Sequence, residues 1–204
     1  MKIFKLTILA LVATLFITSC KKDKTATPEP APVVPQKADI TFQFYNQVSG
    51  MDVEMGKMQY MNAAGNAFQI DLLKYYVTNI TLVKSDNSEV KVGNFDLINA
   101  ADLATCIVNA PGIPNGTYTK IRFNIGIPQD RNHTGAQDGD LDPALGMIWD
   151  WNTGYVFFKH EGKFKNSSNT TQSLIFHFAT DRAFSSVEIP LSTNLEVAGT
   201  AKKV

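Results

Sequence analysis

The chain has 204 residues, and its 19 basic and 19 acidic side chains give a formal net charge of +0 at pH 7. This balance, without a basic stripe or basic residues interleaved with aromatics, argues against a nucleic-acid partner. Roughly 167 residues follow the N-terminal segments described next, a length that suits one domain with a sizeable core.

Residues 1–19 are predicted to be a lipoprotein signal peptide. Two lysines precede an apolar run over residues 6–17, which is too short to span a bilayer comfortably. The run ends Ile17-Thr18-Ser19-Cys20, which resembles the bacterial lipobox, so we expect cleavage before Cys20 and acylation of its thiol. The chain would then attach to a membrane through Cys20. Cys106, the only other cysteine, would have no disulfide partner and is expected to be a small buried apolar residue.

Residues 20–37 are predicted to be a disordered tether. Four of the nine prolines fall here, with almost no large apolar side chain, so the segment favours an extended, polyproline-like chain that cannot form a core. Lys21, in place of an aspartate, follows Cys20, which fits transfer to the outer membrane, so we predict an outer-membrane lipoprotein of a Gram-negative bacterium. These residues leave the periplasmic and cell-surface faces equally open.

The folded part, residues 38–204, is predicted to be all-β. Alternating apolar and polar residues, separated by turn residues, are typical of half-buried strands. The region around residues 72–73 could instead form one helical turn, residues 111–116 are expected to form a turn, and residues 130–145 a long polar loop. No convincing amphipathic helix is present. The pattern predicts an antiparallel β-sandwich of about eight strands, immunoglobulin-like in general architecture. The predicted strands cover residues 40–48, 57–61, 68–84, 89–92, 95–99, 117–127, 155–161, 172–179 and 185–197.

Residues 138–162, DGDLDPALGMIWDWNTGYVFFKHEG, concentrate aromatic and acidic side chains. Exposing so much aromatic surface to water is costly. The segment must therefore pack under the domain or form a binding surface.

Seven motifs follow one another along the folded part. They are YMNAAG (60–65), LKYYVTNITL (73–82), GTY (116–118), IRFNIGI (121–127), GDLDP (139–143), GMIWDWNTGY (146–155) and KHEG (159–162). Their order resembles the MbnP-like family of secreted and lipid-anchored bacterial proteins. The resemblance covers nearly the whole domain, and its most specific block joins methionine, tryptophan, glycine and tyrosine. It implies a β-sandwich that binds copper outside the cytoplasm through histidines and a kynurenine, which a diheme peroxidase-like partner makes from a tryptophan.

The resemblance implies a metal site in which His177 corresponds to a histidine on a late strand of the family. Asn46 stands where relatives place a histidine on the first strand, and no tryptophan occurs in that strand. Met147, His133 and His160 are candidate additional ligands, because imidazole and thioether groups suit copper. The family signature, interpreted mainly as structural, comprises Asp142, Met147, Trp149, Trp151, Gly154, Tyr155, Glu161 and Gly162.

Alternative functions remain open at this stage. Asp138, Asp140 and Asp142 have the spacing of a calcium loop, but Pro143 and Trp149 replace the glycine and glutamate of an EF-hand, which leaves only a looser calcium site. The tryptophans of segment 138–155 could instead recognise a glycan or a protein at the cell surface, or the chain could be a structural accessory of another protein. No catalytic motif is present, so we expect a protein that is not an enzyme.

Overall fold

The computed structural model describes residues 37–93, 95–149, 154–198 and 202–203. The predictions for residues 1–36, including acylated Cys20, and for Trp151 lie outside this part of the chain. The strands are β1 Lys37–Gln43, β2 Gln47–Val48, β3 Met51–Asp52, β4 Tyr60–Met61, β5 Ala67–Lys84, β6 Glu89–Lys91, β7 Phe95–Asn99, β8 Ile107–Pro114, β9 Gly116–Ile125, β10 Val156–Lys165, β11 Thr171–Ala179, β12 Ser185–Val197 and β13 Lys202–Lys203. A four-residue helix, α1, covers Gln129–Asn132, and 3-10 turns cover Gly139–Leu141, Pro143–Leu145 and Asp181–Ala183.

Two sheets form the fold. The large sheet has the order β11-β10-β5-β9-β12, and β4, β6 and β7 also pair with β5. The small sheet has the order β13-β1-β8, and β2 and β3 form a separate hairpin. All described pairings are antiparallel except β1 with β13. The predicted all-β sandwich is therefore confirmed.

The main core lies between the small sheet and the β5–β9 part of the large sheet. Alternate residues of β1 and β8 point inward because a strand exposes its side chains to opposite faces in turn. The large sheet supplies β-branched and aromatic side chains from β5, β9 and β12. The buried members include Ile40, Phe42, Val108, Ala110 and Ile113 from the small sheet, and Val77, Ile80, Leu82, Tyr118 and Val197 from the large one.

The long strand β5 contains two irregularities, and at each of them the side chains on the face toward the core change between even and odd positions. Its register with β10 shifts between Ile70 and Leu72, and its register with β9 shifts between Thr78 and Thr81, at Asn79 with φ of 53°. Each extra residue exchanges even for odd positions on a face, as a β-bulge does. The residues that share this face are Phe68, Ile70, Leu73, Tyr75, Val77, Ile80 and Leu82.

Several predicted boundaries were wrong, and pairing explains each. The helical turn around residues 72–73 does not form, because β5 is paired with β10 there and with β7 from Lys74 onward. Most of the turn predicted at residues 111–116 is instead the end of strand β8, which holds Pro111 and Gly112 as a bulge opposite Asp39. Gly112 supplies the left-handed φ of 69° that this bulge needs, and its N–H donates to Asp39 Oδ1 at 2.9 Å.

The first strand is shorter than predicted. It ends at Gln43, and the chain then turns into the β2–β3 hairpin, in which Gln47 pairs with Asp52. The predicted strand 57–61 is reduced to Tyr60–Met61, and the loop 130–145 contains α1 and two 3-10 turns. Within the described residues, no helix is both long enough and apolar enough to cross a membrane.

Candidate functional site

A second apolar cluster holds the described part of residues 138–155, the aromatic segment, against the large sheet. Met147 is 1% exposed and packs with Tyr76, Leu141 and Tyr155. The Tyr155 hydroxyl donates to Leu141 O at 2.8 Å, and the Tyr76 hydroxyl donates to Asp140 O at 3.0 Å. Trp149 packs against the margin of this cluster. The described part of segment 138–155 is therefore fixed by packing, with polar tips satisfied by backbone carbonyls.

Gly154 lets the segment approach α1. Its φ is +116°, and a Cβ there would lie 2.8 Å from Asn132 Oδ1. That same oxygen accepts a hydrogen bond from the Tyr155 N–H at 2.8 Å, and the Asn132 amide donates to Asp181 at 2.9 Å. The buried Asn132 thus joins α1, the aromatic segment and the 3-10 turn before β12.

His177 lies on the same face of the sheet as the aromatic segment, on edge strand β11. It is directly opposite Lys159 in the β10–β11 ladder. Its Nε2 lies 2.8 Å from Glu161 Oε1, and Glu161 also lies 3.7 Å from Lys159 Nζ. The Trp149 ring packs beside the imidazole, with ring centroids 6.3 Å apart and planes tilted by 40°, and the His177 side chain is 20% exposed. The site is thus an imidazole held by a carboxylate and partly shielded from water.

Two lysines fasten the segment above this site. Lys74 and Lys159 are directly opposite each other in the β5–β10 ladder. Lys74 Nζ donates to Leu145 O at 3.0 Å, and Lys159 Nζ donates to Gly146 O at 3.2 Å. Asp142 begins the adjacent 3-10 turn by accepting from the Ala144 N–H at 2.8 Å. The sequence did not predict this pair of lysines, because their position opposite each other depends on the register between β5 and β10.

Asn46 is not beside His177. The Tyr75 hydroxyl donates to Asn46 Oδ1 at 3.0 Å, and the Asn46 amide contacts Cys106 Sγ at 3.6 Å. Tyr75 follows Lys74 directly, so its side chain leaves the opposite face of the sheet. The two positions that the family resemblance would pair therefore lie on different sides of the large sheet.

The remaining proposed ligands are also apart. The Met147 side chain is buried in the second cluster, whereas His133 is exposed and its Nε2 lies 3.1 Å from both oxygens of Asp181. Asp140 Oδ2 accepts from the Leu97 N–H at 2.7 Å. Among the described residues, no group of three or more histidine, cysteine, aspartate or glutamate side chains is arranged to hold a metal. The residues therefore supply one well-placed imidazole, without a closed set of copper or calcium ligands.

A pair of carboxyl groups beside the second cluster was not anticipated from the sequence. Burial, and then the nearby charge of Asp140, raise the pKa of Asp96 to about 6. Asp96 Oδ2 is buried without a hydrogen-bond partner. The two groups are distant in sequence, so no local motif could have revealed them.

Comparison with known proteins agrees with this architecture. The family model described as MbnP matches residues 37–203. The solved structure of MbnP from Methylosinus trichosporium is similar, with a TM-score of 0.52 and 16% sequence identity. The alignment covers 68% of this chain and 61% of that one, so the chain matches less than two thirds of that protein. A search of curated proteins found no match.

Proposed function

Because the chain belongs to the MbnP family, we propose that it handles copper in the cell envelope, with His177 as the imidazole ligand. The observation that carries this proposal is the 2.8 Å contact between His177 Nε2 and Glu161. Histidine ligands of metals commonly donate their second ring N–H to a carboxylate, which fixes the tautomer and makes the other nitrogen a better donor. No catalytic role is assigned, and the chain acts as a binding protein.

Nδ1 of His177 is the nitrogen that would hold copper. Nε2 is engaged by Glu161, so copper binding through Nδ1 leaves this contact intact. Imidazole binds both oxidation states of copper, and the bound ion would supply a site for electron or ligand exchange. With one imidazole and no cluster of three ligating side chains in the described residues, the proposed site is open and is completed by an external ligand. Such a site favours transfer of copper over its permanent storage.

Copper titration of the purified protein tests this proposal. We expect about one equivalent of Cu(I) or Cu(II) to bind and His177→Ala to lose it. His160→Ala is the matched control. His160 lies on the adjacent strand β10 and pairs with Phe176, so its side chain is on the opposite face of the sheet from His177. An unchanged stoichiometry in His177→Ala would remove His177 from the site. Loss of binding in His160→Ala as well would show that the effect is not specific to position 177.

The location and partner also belong to the proposal. Acylation of Cys20 would anchor the protein to the outer membrane, and Cys20→Ala should release it from the membrane fraction. The diheme peroxidase-like partner implied by the family would oxidise a tryptophan. Intact mass measurement of protein purified from its own cells would reveal a tryptophan converted to kynurenine, and an unmodified mass would argue against that partner.

A further inference from the structure

An aromatic groove lies on the face of the large sheet opposite His177. It has a volume of about 440 Å³. Side chains from β5, β10 and β11 form its walls, and the turn after β4 closes one end. The lining residues are Asn62, Phe68, His160, Phe164, Leu174 and Phe176.

The local register of β10 explains why a hollow forms there. Positions 160, 162 and 164 share one face of the strand, and the middle one is Gly162, which contributes no side chain. Glycine is required because a Cβ at this position would lie 2.1 Å from Gln69 O, where β5 bulges toward β10. The core between the two sheets does not include the groove residues. The required glycine therefore produces the groove, and Phe176 at its rim is 49% exposed.

His160 places one polar atom in this apolar environment. Its Nε2 is buried and has no hydrogen-bond partner, and its ring packs against Phe176 at a centroid distance of 6.1 Å. Burial lowers the pKa of His160, which keeps the imidazole neutral. A buried polar atom without a partner costs free energy, so a ligand that satisfies it gains an orienting contact. Because this nitrogen is itself buried, a ligand in the groove would reach it after a turn of the ring about its last torsion, whose preference is broad and roughly two-fold.

The absence of charged side chains from the lining of the groove favours an uncharged ligand. None of its lining side chains carries a charge, since Lys159, Glu161 and Lys163 point to the other face of β10 by alternation. Asn62 is the second polar lining residue, and its Oδ1 already accepts from the N–H groups of Ala64 and Asn66 at 3.0 and 2.9 Å, which leaves the His160 nitrogen as the unused acceptor. A cavity of this size lined by aromatics, with few polar groups to set orientation, has the character of a small-molecule site. We propose that the groove binds a small, neutral aromatic molecule with one hydrogen-bond donor, which His160 accepts. This proposal does not depend on copper binding.

Binding of two probes to the full chain, followed by NMR, tests the proposal. The probes are 4-ethylphenol and ethylbenzene, which differ by one hydroxyl donor. We expect both to shift groove resonances, with 4-ethylphenol bound about tenfold more tightly, the contribution of one hydrogen bond. His160→Phe should bind the two probes equally. Phe176→Asn should weaken both, whereas Ile175→Asn, which alters an exposed residue on the opposite face of the same strand, should bind as the wild type does.

Three results would overturn the proposal. The first is the absence of saturable shifts with either probe in wild-type protein. The second is a preference for 4-ethylphenol that persists in His160→Phe. The third is a dimer, detected by sedimentation, that Phe176→Asn dissociates, because the groove would then be covered by a second copy of the chain. Phe176 is half-exposed, so its substitution should leave the fold intact, and the wild-type dispersion of the spectrum checks this.

Discussion

Glu161 and His177 form a 2.8 Å contact between neighbouring strands, in which the carboxylate oxygen lies against Nε2 of the imidazole. Lys159 is the direct partner of His177 in the ladder, and Glu161 lies two positions further along β10. The contact therefore runs diagonally on one face of the sheet. It fixes the orientation of the only histidine that the family resemblance selects. The proposed copper chemistry depends on this orientation.

Glu161→Ala should weaken copper binding without abolishing it. Removing the carboxylate partner of a ligating histidine typically costs about 10- to 100-fold in metal affinity. Competition with a chromophoric chelator measures the change, and Glu196→Ala on exposed strand β12 is the control. Equal affinities in wild type and Glu161→Ala would show that the carboxylate does not support the ligand.

Gly162→Ala should destabilise the fold by about 2–3 kcal/mol, the upper part of the range that overpacking typically costs, because the clash is with backbone. The added Cβ would lie 2.1 Å from Gln69 O, and a carbonyl in a paired strand has little freedom to move. Gly65→Ala is the control, because its φ is +78° with no atom within 4 Å. We expect about 1 kcal/mol there from the backbone conformation alone. Urea denaturation gives both values, and a smaller loss at Gly162 than at Gly65 would contradict the close approach of β5 and β10.

Asn132→Ala should cost about 2–3 kcal/mol, because it leaves the buried Tyr155 N–H without an acceptor and removes the contact to Asp181. Thermal unfolding of this variant is compared with that of Thr134→Ala. Thr134 is exposed and contacts Arg131 O, so its truncation should change stability by less than about 0.5 kcal/mol. Similar melting temperatures for the two variants would show that Asn132 does not join the three segments.

Asp96→Asn should stabilise the protein at pH 7.5 and have little effect at pH 4. The pKa of Asp96 is raised to about 6 in the folded protein, above its value of about 3.9 in an unfolded chain. The folded state therefore binds the proton more tightly, and stability falls as the pH rises from about 4 through 6. After allowance for solvent screening, the gain at pH 7.5 should be roughly 1–2 kcal/mol.

Denaturant titrations at the two pH values measure this effect. Asp130→Asn, at an exposed position of α1, provides the control for removing a negative charge. A gain for Asp96→Asn that is the same at pH 4 and pH 7.5 would contradict the assignment of the raised pKa to Asp96.

Alternation in the sequence was sufficient to predict most of the sandwich. The pattern over residues 117–127 and 185–197 predicted β9 and β12, and the alternation of Phe176, His177 and Phe178 along a strand places His177 on the face away from both phenylalanines. The ladder confirms this orientation, since His177 is opposite Lys159 and both phenylalanines face the other side. Strict alternation predicts strands well because burial of one face specifies the register of the strand.

The relationships that define the site could not be read from the sequence. The bulge at Pro111 and Gly112 resembled a turn because the same residues serve both structures. The separation of Asn46 from His177 depends on which face of β5 carries Tyr75, and this changes with each bulge. The hydrogen bond of Lys74 with Leu145 and the electrostatic interaction of Asp96 with Asp140 join residues more than 40 positions apart. Such contacts follow from register and loop packing, for which one sequence carries no local signal.

The most direct test of copper binding by His177 is the nitrogen NMR spectrum of its ring in the Cu(I)-loaded protein. Cu(I) is diamagnetic, so both ring nitrogens can be followed as the metal is added. We predict that the Nδ1 resonance of His177 shifts with saturation at one equivalent, while Nε2 keeps its proton and its contact with Glu161. Unchanged His177 resonances in protein that has bound copper, or a shift of Nε2 in place of Nδ1, would contradict the account.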